Sequence, residues 1–296
     1  MGILGSQLQR DNSFSCRINI RVTLSHHEHD LTSLIQENKS YSVIESTLFA
    51  IKHYHVFAGA IDPTCNALVN YIAEAAKRMN NRQTKKKEPL LFEHLTKIFE
   101  NIGKKESTLL DFRNFTLMVV SFAGFLRYSE VSNLTLGDIV FEPTFMRLFI
   151  EQSKTDQYRE GHWVFIAKTV SEICPVKTLN MYITRAGIEL HDEFLFRGLS
   201  FFKSKGIHKL RKKNKPISYS TARLHVLDLI KGIGLNEKLF GLHGLRSGGA
   251  TEAARNGVPD RLFQNHGRWK SEKIKDGYVR DKLEDLLRVS LYLGFE

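Results

Sequence analysis

The stretch STLLDFRNFTLMVVSFAGFL, residues 107–126, constrains the fold more than any other. It reads as a helix too apolar to face water, so other elements have to cover it. No apolar run of the chain reaches the ~18–20 residues of a membrane span, which makes this a helix for the middle of a protein core. The segments around it supply the cover. LLFEHLTKIFENI before it reads as helix, as do residues 171–190, TARLHVLDLIKGI and LHGLRSGGATEAARN after it, with Gly257 placed as a C-terminal cap. Between them the period changes: MRLFIEQ and HWVFIA are short β-rich runs on either side of SKTDQYREG, together a hairpin. A short segment from Pro259 follows, and a last helix is predicted from Ser271, a suitable N-cap.

Ahead of this region, residues 42–58 carry Ile44, Leu48, Ile51 and Tyr54 at helical spacing, and NALVNYIAEAAKRM forms a second helix. The first 36 residues have no clean period. The polar, basic run NNRQTKKKEP, closed by Pro89, marks a domain boundary and contains Lys85, Lys86 and Lys87. A second basic run, KSKGIHKLRKKNKP, reads as a loop and contains Lys209, Arg211, Lys212 and Lys213.

Composition narrows the partners. Lys plus Arg outnumber Asp plus Glu by 43 to 32, a net charge of +11, which favours a polyanion because neutralising its phosphates releases counterions. The three cysteines, Cys16, Cys65 and Cys174, are odd in number and widely scattered, which argues against a disulfide framework and a paired-cysteine zinc site. The cluster His26, His27, Glu28 and His29 reads as solvated rather than metal-binding, and no metal or other cofactor is expected. The N-terminus lacks the layout of a secretory signal, which points to an intracellular protein; MGILGS fits only the loose myristoylation pattern.

Several residues have the chemistry for work on a phosphate. His243 and Arg246, three apart near a helix start, can address one anion. Gly244, Gly248, Gly249 and Ala250 leave one side of that helix bare, open to a DNA backbone or another helix. Arg127 emerges from the apolar stretch and requires either Glu130 or an incoming phosphate as partner. Lys154 sits in the hairpin loop. In HGRWKSEKIKDGY, Tyr278 is either a core aromatic or a nucleophile, with His266 and Trp269 as its candidate helpers. Two arginines, a lysine, a histidine and a tyrosine suit metal-free phosphoryl transfer: paired N–H donors neutralise the transition state, and the tyrosine attacks once a base takes its proton.

The order and spacing of Arg127 in AGFLRYSE, Lys154 in QSKTD, His243 and Arg246 in HGLRSGGAT, and Tyr278 in DGYVR resemble the tyrosine recombinases, the phage-integrase, Xer and Cre group. The wording from His243 to Glu272 is most similar to recombinases of eukaryotic mobile elements, the DIRS and Crypton types. The resemblance implies that Tyr278 forms a 3′-phosphotyrosyl link and that Arg127 and Arg246 clamp the phosphate. It implies that His243 moves the tyrosine proton, that Lys154 protonates the leaving 5′ oxygen, and that Glu130 supports Arg127. The family's phosphate-touching residue stands nine positions before the tyrosine, which selects Trp269 over His266 and leaves His266 a supporting place.

The implied fold is mainly α with a small antiparallel β-sheet. Residues 1–86 make a shortened helical core-binding domain, uncertain over 1–36, and residues 87–296 make a catalytic domain. The implied partner is double-stranded DNA, gripped by four protomers with EDLLRVSLYLGF docking on a neighbour; no membrane and no small-molecule substrate are expected. A eukaryotic host would place the protein in the nucleus. A DNA-relaxing enzyme of the type IB topoisomerase kind and a silent DNA-binding descendant are the alternatives.

Overall fold

The computed structural model describes residues 31–80, 86–103, 107–151 and 161–293. Lys154, Lys85, Cys16 and the cluster from His26 to His29 lie outside these. The chain separates into two compact units, residues 1–85 and 86–296.

In the first unit, helical turns at 31–36 precede helix α1 (Tyr41–Phe57) and helix α2 (Ala67–Asn80). Leu31, Ile44, Val69 and Ala76 form its small core, with Leu48 and Ile72 against it. The predicted stripe of α1 stops early: Ile44 is buried, Leu48 and Ile51 are half-buried, and Tyr54 is 72% exposed because the small core does not extend that far. Asp62 caps the turn between the helices, accepting from the Thr64 backbone N–H at 2.9 Å.

The second unit is organised around the apolar stretch. Helix α3 (Phe92–Gly103) leads to helix α4 (Leu109–Ala123), capped by Thr108, whose hydroxyl accepts from the Asp111 N–H at 3.2 Å. Residues 112–121 of α4 are all buried. Phe115, Leu117, Met118 and Val120 anchor one large cluster, each such side chain contributing ~1.5–3 kcal/mol through burial. The one-turn helix α5 (Tyr128–Ser132) comes next.

Strands β1 (Ile139–Phe141), β2 (Phe145–Ile150) and β3 (His162–Ala167) then form an antiparallel sheet in that order. Met146 pairs with Ile166 and Leu148 with Val164, so period-two alternation turns these four residues into the core. Helix α6 (Pro175–Ala186) starts on a proline and ends at Gly187, whose positive φ closes the turn.

The basic run 203–215 is not wholly a loop, contrary to the expectation from its composition. Strands β4 (Leu199–Phe202) and β5 (Ile207–Leu210) pair antiparallel within and before it. Helices α7 (Tyr219–Gly232), α8 (His243–Arg255) and α9 (Asp260–Gly267) complete the body, and Gly257 takes the left-handed turn expected after α8.

The predicted last helix is two. Ser271 caps α10 (Glu272–Asp276), its hydroxyl accepting from Ile274 N–H at 3.4 Å, but α10 ends after one turn and α11 (Leu283–Leu291) starts afresh. The reason lies at Thr251 on α8: its hydroxyl accepts the Arg280 N–H at 3.1 Å and lies 3.4 Å from the Tyr278 carbonyl, drawing the chain out of helix. No helix among the described residues is long and apolar enough to cross a membrane.

Candidate active site

The bare side of α8 is covered by the protein itself. Leu90 N–H donates to the Gly244 carbonyl at 2.9 Å, and a Cβ at Gly248 would lie 1.8 Å from the Leu90 carbonyl. A Cβ at Gly249 would lie 2.3 Å from the Phe122 carbonyl at the end of α4. These glycines therefore serve chain-to-chain packing, not the approach of a DNA backbone, and they bring the start of α8 against the end of α4.

Arg127 and Arg246 meet through that packing. Glu130, at the third position of α5, turns back to accept the Arg127 backbone N–H at 2.8 Å and its guanidinium at 2.7 Å. Arg246 on α8 is wholly buried. It donates to the carbonyls of Phe125 and Gly267, lies 3.8 Å from Glu130, and has no partner for its Nε. Burial, and then the neighbouring Arg127, lower the Arg246 pKa to about 10, which leaves it charged at neutral pH.

Sequence reasoning missed a third guanidinium. Arg268 closes α9 in a left-handed conformation, φ 56°, and its side chain is 6% exposed. Its Nη2 donates to Glu130 at 2.8 Å and to the Phe125 carbonyl at 3.2 Å; its Nη1 donates to the His266 carbonyl at 3.0 Å. Burial pushes the Glu130 pKa up, but Arg268, the Arg127 backbone N–H, Arg246 and Arg127 outweigh it and hold the carboxyl below its ordinary value. The only sign of Arg268 in the sequence was its place beside Trp269.

Tyr278 closes the group. Its ring centroid lies 5.0 Å from that of Trp269 and 5.1 Å from that of His243. The Arg246 guanidinium sits 4.9 Å from the Trp269 ring and 5.1 Å from the Tyr278 ring, within cation–π reach of both. Lys275, three residues before Tyr278, holds α10 to α9 through an ion pair of 2.7 Å to Asp260, and pairs within α10 with Asp276 at 3.3 Å.

The two aromatic candidates differ. Trp269 is buried, and its indole N–H lacks a partner. His266 is engaged elsewhere: its Nε2 lies 2.8 Å from the Ala123 carbonyl and its ring packs edge-on against Phe125. His243 has an edge open to solvent, yet partial burial, then Arg246 and Arg127, lower its pKa. His266 and His162 are lowered by burial too, with Arg268 adding to it. All three stay neutral near pH 7, so three guanidiniums face one carboxylate.

The other predicted residues that are described stand at the surface. Lys86 and Lys87 are exposed; Lys86 reaches the Gly277 carbonyl at 3.4 Å, and Lys87 reaches that of Lys238. Lys209, Arg211, Lys212 and Lys213 are exposed on and after β5. Arg211 and Lys213 line a cavity of about 480 Å³ whose lining, with Arg113 and Lys215, contains no carboxylate. Among the described residues no group of three His, Cys, Asp or Glu side chains is placed to hold a metal, and Cys65 and Cys174 are free thiols.

Known proteins share this arrangement of elements. The phage integrase family matches residues 88–284. An integrase/recombinase XerD homolog of Selenomonas ruminantium is 27% identical over 249 residues, 83% of this chain and 70% of that one. A lambda integrase dimer bound to a COC′ core site superposes with a TM-score of 0.55 at 20% identity, over 95% of this chain and 73% of that one. The Tn1549 transposon integrase in complex with transposon right end DNA gives 0.59 at 16%, over 90% and 84%. For the XerH recombinase bound to palindromic difH the values are 0.54 and 17%, over 77% of this chain and 64% of that one.

Proposed function

Because this chain belongs to the phage integrase family, the tyrosine recombinases, we propose that it breaks and rejoins DNA strands through Tyr278 in site-specific recombination and integration. The observation that carries this reading is the joining of Arg246, His243, Trp269 and Tyr278 in one group beside Arg127 and its carboxylate.

The chemistry follows from the parts. His243, neutral, takes the Tyr278 phenolic proton; the phenolate oxygen bonds to phosphorus, and the bond from phosphorus to the 5′ oxygen breaks. Lys154 gives the leaving oxygen its proton. Arg127 and Arg246 neutralise the non-bridging oxygens, and the unpartnered Trp269 N–H donates to one of them. Arg246 is covered by the Tyr278 and Trp269 rings, so the phosphate enters as Tyr278 swings off the guanidinium. Attack by the 5′ hydroxyl of another strand reverses the bonds and reseals the backbone. One phosphoester replaces another, so the exchange needs no ATP.

In this reading residues 1–86 act as a shortened DNA clamp and the exposed lysines hold the backbone. Leu283, Leu286, Leu287 and Leu293, all open to solvent, dock α11 on a neighbouring protomer of a tetramer. The wording from His243 to Glu272 supports a eukaryotic mobile-element origin and, with it, a nuclear site of action.

A pool of nicked random-sequence duplexes tests the reading. The wild-type chain is expected to retain DNA covalently through denaturation, whereas Tyr278→Phe binds with nearly the same salt-sensitive affinity and retains none. Equal behaviour of the two would leave a DNA-binding protein only. Covalent capture by a monomer, without strand exchange between duplexes, would favour DNA relaxation.

A further inference from the structure

The recombinase reading assigns two arginines to the phosphate; the structure holds three around Glu130. We infer that Arg268 is a positioning residue that acts through Glu130, holding the carboxylate so that the charge of Arg246 is left for the transition state, and fixing the turn that presents Trp269. The inference rests on the recombinase reading and adds a residue to it.

The competition is for one carboxylate. Glu130 is the only carboxylate within ion-pair distance of Arg127, Arg246 or Arg268 among the described residues, at 2.7, 3.8 and 2.8 Å. Without Arg268 it would be shared by Arg127 and Arg246 alone. A phosphodiester brings one negative charge; once the phenolate has bonded to phosphorus, its proton having passed to His243, the pentacovalent species carries two. An Arg246 left free of Glu130 therefore gains most on the doubly charged species, which must be stabilised most.

The geometry shows how the residue manages this from a buried place. Arg268 takes the Glu130 Oε2 atom at 2.8 Å while Arg246 stays 3.8 Å from it, so the carboxylate is held between Arg127 and Arg268 and Arg246 is left for the anion. Its backbone conformation supports the assignment. A left-handed residue after a helix is usually glycine, and an arginine there is strained. Donation to the Phe125, His266 and Gly124 carbonyls and to Glu130 offsets that strain. The same turn lets the next residue pack its ring on Gly267, where a Cβ would lie 2.2 Å from the Trp269 ring.

Arg268→Gly separates charge from turn, because glycine adopts this φ without strain. The substrate is a nicked duplex recovered by covalent capture on the wild-type chain, made with a normal phosphate or a neutral methylphosphonate at the cleaved position. The variant is expected to form the Tyr278 adduct about 30-fold or more slower on the phosphodiester. On the methylphosphonate, whose transition state carries one charge fewer, the loss should shrink to about 3-fold or less, with duplex affinity changed by less than about 3-fold on either substrate. Arg268→Gln, neutral and nearly as long, gives the same comparison should the glycine variant not fold. Equal slowing on both substrates, or no slowing, overturns the inference and leaves the recombinase reading standing. A wild-type chain that forms no Tyr278 adduct overturns both.

Discussion

Two basic regions of the second unit are built in opposite ways. Around Glu130, three arginines are buried or nearly so, held at fixed distances by one carboxylate and by backbone carbonyls. Along β5 and the segment after it, Lys209, Arg211, Lys212 and Lys213 stand in water. Both contribute to the +11 net charge, yet in the recombinase reading they serve different purposes. A buried guanidinium has lost its water and keeps its direction, so it discriminates between two charge states of one phosphate. An exposed lysine is screened within about 8–10 Å in physiological salt, so it adds affinity without choosing where on the backbone to act.

On that division, changes in the first region should lower rate more than affinity. Arg246→Gln should slow adduct formation on a captured substrate by about 100-fold or more, with duplex affinity nearly retained. Glu130→Gln has the next largest effect and acts on the fold. It leaves three guanidiniums without a buried counter-charge, which should destabilise the second unit by ~3–5 kcal/mol and lower its melting temperature by roughly 10 °C. The sign of the pH dependence follows. With the Glu130 pKa depressed in the folded state, its contribution is complete above the ordinary glutamate range and is lost as pH falls through the depressed value. Acid unfolding of Glu130→Gln should lack that component.

His243 tests the boundary between the regions, since it touches both solvent and Tyr278. Its pKa lies below the ordinary histidine value of about 6.5, so the base stays neutral to lower pH. The acid limb of the adduct-formation rate is expected below pH 6.5, and a limb above it would contradict the assigned role. The smallest effects belong to the exposed set. Lys212→Ala with Lys213→Ala should weaken duplex binding a few-fold and flatten the salt dependence by about 0.9 for each phosphate no longer neutralised, leaving the rate per bound complex unchanged.

What could be read from the sequence divides along similar lines. The apolar density of 107–126 announced α4, and period two announced β2 and β3, because both signals are local and repeat. Gly257 and Ser271 were legible as caps for the same reason. The β4–β5 pair was not: its second strand is four residues long and sits in a lysine-rich run, so charge masked the alternation. Nor could the break after α10 be read, since it depends on Thr251, 27 residues before Tyr278.

In the site, the motifs pointed to Arg127, Glu130, His243, Arg246, Trp269 and Tyr278, which the fold brings into one neighbourhood. Arg268 stayed hidden because its left-handed turn and its bond to Glu130, 138 residues away, are tertiary facts. The α8 glycines were legible as a bare surface, but only the structure showed Leu90 lying across it.

The most direct test of Tyr278 as the nucleophile is to digest the covalent complex captured from the nicked pool and find the modified residue by mass spectrometry. The expected result is one modified peptide, with Tyr278 joined to a 3′ phosphate and a free 5′ hydroxyl on the other side of the break. A link to any other residue, a 5′ phosphate at the tyrosine, or no link at all would contradict it.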